Sequence, residues 1–163
     1  MSDESAGERI DYLAGYFDGE GCITVLSLAR GRYPQLRITI VSADQEVLKL
    51  FTRLGGKDIY EVTKSHLRWA LSSRLYRWSV SGIAAVPILS TLEPHLIAKR
   101  EQARVALSVD WATSTRGLQP DDDILQKRWW AKRELQRLKS LNLYNKERGG
   151  LSLAECSSPV ASS

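Results

Sequence analysis

The chain has 163 residues, of which 43% are hydrophobic and 26% charged, and 23 Lys and Arg against 19 Asp and Glu give a net charge of +4. This length suits one domain with a buried core and is short for two, and no apolar run approaches the roughly 20 residues of a membrane span. Two cysteines, two histidines and an acidic N-terminus without an apolar stretch argue against a disulfide scaffold, a histidine metal site and a secretory signal, and indicate a reducing compartment.

Charge is unevenly distributed along the chain. Residues 1–21 hold six acids and one base, whereas residues 22–80 hold ten bases and four acids. An acidic start followed by a basic, strand-rich middle indicates a nucleic-acid surface beside a carboxylate site. The alternative is solvated charge on ordinary strands.

Apolar periodicity and turn residues divide the chain into helices and pairs of strands. We expect one domain over 8–148. The predicted elements are a flexible leader over 1–7, a helix over 8–18, strands over 22–30 and 35–42, a helix over 44–54, strands over 57–64 and 74–81, helices over 82–92, 95–108 and 121–141, and a flexible tail over 149–163.

Strict alternation of apolar and polar residues over 35–42 predicts a strand that is buried on one side only. The order αββαββα, followed by extra helices, predicts an α+β fold: a four-stranded antiparallel sheet with helices on one face and a polar, arginine-bearing face left open. In a regular strand over 22–30, Leu26 and Leu28 would lie on the same face as Thr24. Two alternatives follow: either the leucines lie on the open face or the strand carries a bulge.

The stretch Tyr12 to Gly21, YLAGYFDGEG, carries the chemistry. Gly15 and Gly19 lie four apart on one helix face, a spacing that lets another backbone approach closely. Glu20 falls at the helix C-terminus, where the helix dipole disfavours a carboxylate unless a cation compensates it. Hard oxygen ligands of this kind suit Mg²⁺.

This stretch resembles the LAGLIDADG motif of homing endonucleases in its variant ending DGEG, and the predicted element order supports the resemblance over 8–108. The resemblance implies that two motif helices pack side by side about a twofold axis. Because the chain carries one motif, it implies a homodimer with an interface at Tyr12, Gly15 and Gly19. It also implies metal ligation by Glu20 and the Gly19 carbonyl, with Mg²⁺ or another divalent cation such as Mn²⁺ or Ca²⁺.

Two further catalytic residues follow from the resemblance. Lys99 matches a lysine that lies near the metal site and either polarises water or stabilises charge on the phosphate; the alternative is a routine exposed lysine. Asp44 matches a polar residue that orients the attacking water; the alternative is a plain helix N-cap.

The open face of the sheet is the expected DNA reader, since strand ribbons enter the major groove and arginine and glutamine recognise base edges there. Each of these side chains could instead contact only phosphate or solvent. The predicted DNA-binding residues are Arg30, Arg32, Gln35, Arg37, Thr39, Lys64, Arg68, Arg74 and Arg77. In the last helix we expect Trp129 and Trp130 to be core and their basic neighbours to be solvated.

The implied function is Mg²⁺-dependent cleavage of both strands of a long, near-palindromic DNA target by a homodimer, with no membrane partner. The alternative is an intron-splicing maturase, with intron RNA as partner, or a non-cleaving DNA-binding protein on the same scaffold. The resemblance implies an intracellular protein of an organelle or of a prokaryotic cytoplasm.

Overall fold

The computed structural model describes residues 3–28, 33–56, 58–62, 74–112 and 121–155, with the backbone alone for 3–8, 28 and 142–155. Single 3-10 turns at Gly82–Ala84 and Glu93–His95 lie on either side of the third helix. The helices and strands are α1 (Asp3–Glu20), β1 (Gly21–Leu28), β2 (Tyr33–Ser42), α2 (Gln45–Leu54), β3 (Ile59–Glu61), β4 (Tyr76–Ser81), α3 (Ala85–Leu92), α4 (Arg100–Leu107) and α5 (Asp122–Glu155). Among the described helices, none combines the length and apolarity needed to cross a membrane.

The strands form a four-stranded antiparallel sheet in the order β1-β2-β4-β3, which confirms the predicted α+β fold. Pairing of β1 with β2 runs without interruption from Gly21 opposite Ile40 to Leu28 opposite Tyr33, so β1 carries no bulge over this length. Leu26 therefore shares the open face with Thr24, and the bulge alternative is wrong for the described part of the strand.

Helices cover one face of the sheet and enclose the core. Leu36, Ile38 and Ile40 are fully buried there, whereas the residues between them stay partly exposed, as the alternation predicts. Phe51 of α2 packs between the sheet and α1: its ring centroid is 5.3 Å from that of Trp78 of β4 and 6.5 Å from that of Phe17 of α1. Each fully buried large apolar side chain contributes about 2–3 kcal/mol, so this cluster fixes α1 against the sheet.

The ends of α2 follow from two local signals. Asp44 Oδ1 accepts hydrogen bonds from the backbone N–H groups of Glu46 at 2.9 Å and Val47 at 3.3 Å, which satisfies donors that a helix start leaves unpaired. The helix ends at Gly55, and Gly56 follows with a φ of 82° that favours glycine. A Cβ at Gly56 would lie 2.5 Å from Val80 Cγ2, so the turn also needs glycine for close packing.

Several boundaries differ from the sequence-based prediction. Helix α1 begins at Asp3 rather than near residue 8, and α5 ends at Glu155 rather than near residue 141. The predictions followed apolar periodicity, and both helices continue past the stretch in which that periodicity is present. Helix α4 starts at Arg100 rather than near residue 95, because a 3-10 turn and a short loop intervene after Pro94.

The expected core of α5 is wrong in part. Trp130 is 45% exposed and Trp129 half-buried, whereas Arg128, expected on a solvated face, is buried. The buried stripe falls on Arg128, Ala131 and Leu135, spaced at helical intervals. Arg128 tolerates burial because it donates to the carbonyls of Asp110 and Ala112 at 2.8 and 2.7 Å.

The cap geometry predicts that Asp44→Ala lowers the free energy of unfolding by about 1 kcal/mol, since two N–H groups lose their acceptor. Urea denaturation followed by circular dichroism would measure this loss. Asp44→Asn keeps an acceptor oxygen and should cost less. Equal stability of the Asp44→Ala and unmodified chains would contradict a capping role.

Candidate active site

Helix α1 has one packed side and one bare side. Leu13 and Phe17 on the packed side are buried, whereas Tyr12 on the other side is 52% exposed. A Cβ added at Gly15 or Gly19 would meet none of the described residues within 4 Å. The residues expected at a subunit seam therefore lie together on this bare side: Tyr12, Gly15 and Gly19.

The carboxylate of Asp18, in the last turn of α1, binds the loop that leads into α4. Its Oδ2 accepts from the backbone N–H groups of Ile97 at 2.6 Å and Ala98 at 3.1 Å, and its Oδ1 accepts from that of Lys99 at 2.9 Å. Hydrogen bonds to an ionised acceptor are stronger than neutral ones. One side chain therefore fixes where α4 begins relative to the end of α1.

Lys99 is held at the same place by its side chain. Its ammonium donates to the backbone carbonyl of Asp18. Partial burial lowers the pKa of Lys99 below its ordinary value; the acidic groups of Asp18, Cys22 and Glu20 oppose this shift, and the charge of Lys139 adds to it. Because Glu20 follows Asp18 by two residues, the bond from the Lys99 ammonium to the Asp18 carbonyl places Lys99 at the same end of α1 as Glu20.

Glu20 is exposed, and its carboxylate forms no hydrogen bond or ion pair with any part of the chain that the structure describes. Carbonyl groups of a last helical turn, Gly19 included, lack helical partners, so one carboxylate and one carbonyl oxygen are available at this point. Both are ligands that Mg²⁺ and Ca²⁺ prefer. No group of three or more His, Cys, Asp and Glu side chains in the described ranges is arranged to hold a metal. These two oxygens have the chemistry that a hard divalent cation requires but are too few for a complete site.

Asp44 does not join this group through any described contact. Its carboxylate is used as the N-cap of α2, and its N–H donates to Ser42 Oγ at 3.0 Å. Ser42 Oγ is also 2.6 Å from the hydroxyl of Tyr16, which ties α1 to the end of β2. The water-orienting role of Asp44 stays a prediction.

The open face of the sheet carries Gln35, Arg37, Thr39 and Arg77, all partly exposed. The register places Thr24, Arg37 and Ser81 in one row and Arg77 opposite both Val41 and Tyr60. Arg37 Nε donates to Ser81 Oγ at 2.9 Å.

One further predicted DNA-binding residue is described, and it lies outside these rows. Arg74 precedes β4 and lies 3.9 Å from Glu61 at an exposed edge. Four predicted residues lie outside the described residues: Arg30, Arg32, Lys64 and Arg68.

Sequence reasoning missed two residues at this site. Asp18 supplies the anchor for Lys99, and Lys139 of α5 places its ammonium 3.4 Å from Cys22 Sγ, two residues beyond Glu20. The position of Asp18 inside the motif was a usable signal, whereas Lys139 lies 117 residues from Cys22 in the chain and had none.

The comparisons with known proteins bear on the fold. Neither the protein-family models nor the curated proteins contain a match to the sequence. The structure resembles the homing endonuclease I-CvuI bound to its target with 2 mM Ca, at a TM-score of 0.65 and 18% identity over 83% of this chain and 85% of that chain. It also resembles I-CvuI in complex with the I-CreI target in 2 mM Mg, at 0.61 and 17% over the same shares.

An archaeal intron-encoded homing endonuclease, I-Vdi141I, complexed with DNA, gives a TM-score of 0.56 at 18% identity over 82% of this chain and 85% of that chain. The chain therefore has the fold of LAGLIDADG homing endonucleases, which the motif predicts.

The Asp18 contacts predict that Asp18→Asn lowers the free energy of unfolding by about 2 kcal/mol, because three N–H groups lose an ionised acceptor. Denaturant titration measures the loss, and hydrogen exchange should quicken at the amides of residues 97–99. The control is Asp11→Asn, which removes an exposed carboxylate of α1 that pairs with His95 at 2.6 Å. A loss no greater than that of the control would count against the anchoring role.

Proposed function

We propose that this chain is a site-specific endonuclease that cuts double-stranded DNA as a homodimer with a divalent cation such as Mg²⁺. The observation that carries the proposal is the free Glu20 carboxylate beside Lys99 at the point where α1 joins the open sheet. The similar structures I-CvuI and I-Vdi141I are homing endonucleases in complex with DNA, which supports the same substrate here.

In the proposed reaction, water attacks a phosphodiester and the bond from phosphorus to one ester oxygen breaks. Glu20 and the Gly19 carbonyl would hold the cation, which would stabilise charge on the attacked phosphate and on the leaving oxygen. Lys99 offsets the negative charge that develops on the phosphate. Asp18 orients Lys99, because it fixes both the backbone and the ammonium of that residue.

Recognition is assigned to the open face of the sheet. Gln35, Arg37, Thr39 and Arg77 present amide, guanidinium and hydroxyl donors in adjacent rows. Such groups form hydrogen bonds with base edges in the major groove, where the four base pairs differ in their donor and acceptor patterns. Two such sheets laid along one duplex account for a long, near-palindromic target.

The role of Glu20 predicts that Glu20→Gln reduces cleavage of a plasmid library in Mg²⁺ by about 100-fold or more, since a neutral amide is a poor ligand for a hard cation. DNA binding should persist. Cleavage is read on gels and by sequencing of cut ends.

The matched control is Asp123→Asn, which removes a carboxylate paired with Lys127 at the start of α5. Undiminished cutting by Glu20→Gln would refute the assignment. Binding without cutting by the unmodified chain would favour the non-cleaving alternative.

The bare face of α1 predicts that Gly15→Leu weakens the dimer without harming the fold of one chain. The new side chain meets open space within the chain, and leucine is the better helix former, whereas the same bulk would separate two packed helices. Sedimentation should shift towards the monomer mass with an unchanged circular dichroism spectrum.

The control is Ser90→Leu, which also introduces a leucine at an exposed helical position, in α3. It should leave the dimer intact. If the Gly15→Leu dimer were as stable as that of the unmodified chain, the interface could not lie on this face of α1.

A further inference from the structure

Two lysines from different helices reach the start of β1. Lys99, just before α4, donates to the carbonyl of Asp18, and Lys139 of α5 donates to Cys22 Sγ at 3.4 Å. Burial lowers the pKa of Lys99, and the charge of Lys139 acts in the same direction. Helices α4 and α5 therefore each bring one positive charge to the end of α1 that carries Glu20.

Lys139 differs from Lys127 and Arg137 of the same helix in having no carboxylate partner among the described residues. Lys127 pairs with Asp123 at 2.6 Å and Arg137 pairs with Glu134 at 2.5 Å, both within the helix. Lys139 forms no ion pair with a described residue, and its acceptor is a thiol, which accepts hydrogen bonds weakly. Lys139 is also half-buried, so its ammonium group is partly desolvated and has no carboxylate partner among the described residues.

A partly buried ammonium whose described acceptor is a thiol lacks an anion that would compensate its charge. Glu20 cannot serve both lysines and also hold a divalent cation. A phosphodiester supplies the missing anion, because its two unesterified oxygens accept charge-assisted hydrogen bonds from ammonium groups.

We infer that Lys139 binds a backbone phosphate of the DNA at the N-terminal end of β1, next to the phosphate that lies at Glu20. The inference rests on the proposed nuclease function and extends it with a phosphate contact from α5. Lys139 thereby holds the strand in place, while Lys99 faces the phosphate that reacts.

The test measures how binding of a mixed-sequence DNA duplex depends on salt, by fluorescence anisotropy in Ca²⁺. Each neutralised phosphate adds about 0.9 to the slope of log affinity against log salt. Lys139→Met should therefore lower the slope by about two in a homodimer, with a several-fold loss of affinity that is similar for all sequences.

Lys127→Met is the matched control, because Lys127 lies on the same helix and already has a carboxylate partner; its slope should equal that of the unmodified chain. Lys139→Arg keeps the charge and should restore the slope. Lys139→Gln gives a second neutral variant, and thermal melting checks that each variant is folded.

An unchanged slope in both neutral variants, with cleavage by the unmodified chain intact, would overturn the phosphate contact and leave the nuclease standing. The same would follow if Lys127→Met lowered the slope as much as Lys139→Met, since the effect would then be one of overall charge. An unmodified chain that binds no duplex would overturn both proposals.

Discussion

The hydrogen bonds of the Asp18 carboxylate are the interaction on which the candidate site depends. They join the last turn of α1 to the loop before α4, 81 positions further along the chain. Because Glu20 follows Asp18 by two residues, fixing the loop also fixes Lys99 relative to Glu20. The two acids of the motif therefore differ in their contacts. The Asp18 carboxylate accepts three backbone hydrogen bonds, whereas the Glu20 carboxylate has no partner among the described residues.

The surroundings of this anchor are electrostatically unbalanced. A helix C-terminus carries partial negative charge and favours cations, which suits the lysine ammonium bonded to the Asp18 carbonyl. Glu20 adds a negative charge at the same end without a hydrogen-bonding partner among the described residues. An exposed carboxylate without a described partner, at the same helix end as a partly buried ammonium, is the arrangement that the proposed binding of a phosphate and a divalent cation requires.

Local pattern predicts the fold well because each strand and cap depends on near neighbours. The alternation over 35–42 specifies the buried face of β2, and Asp44 specifies the start of α2. Local pattern fails where contacts span the chain. Nothing near Lys139 indicates Cys22, and Arg128 is buried because distant carbonyls accept its hydrogen bonds. The resemblance to a motif pointed to Glu20 and Lys99, and the geometry then identified the residue that joins them.

The bare face of α1 and the unpaired Glu20 have one explanation in common. A second α1 packed against Gly15 and Gly19 would cover the exposed Tyr12 and bring a second carboxylate to the same helix end. Two carboxylates drawn together repel, and a divalent cation between them relieves that repulsion. In the proposed dimer, packing of the helices and binding of the cation would stabilise each other, and the proposed site would be complete only after two chains pair.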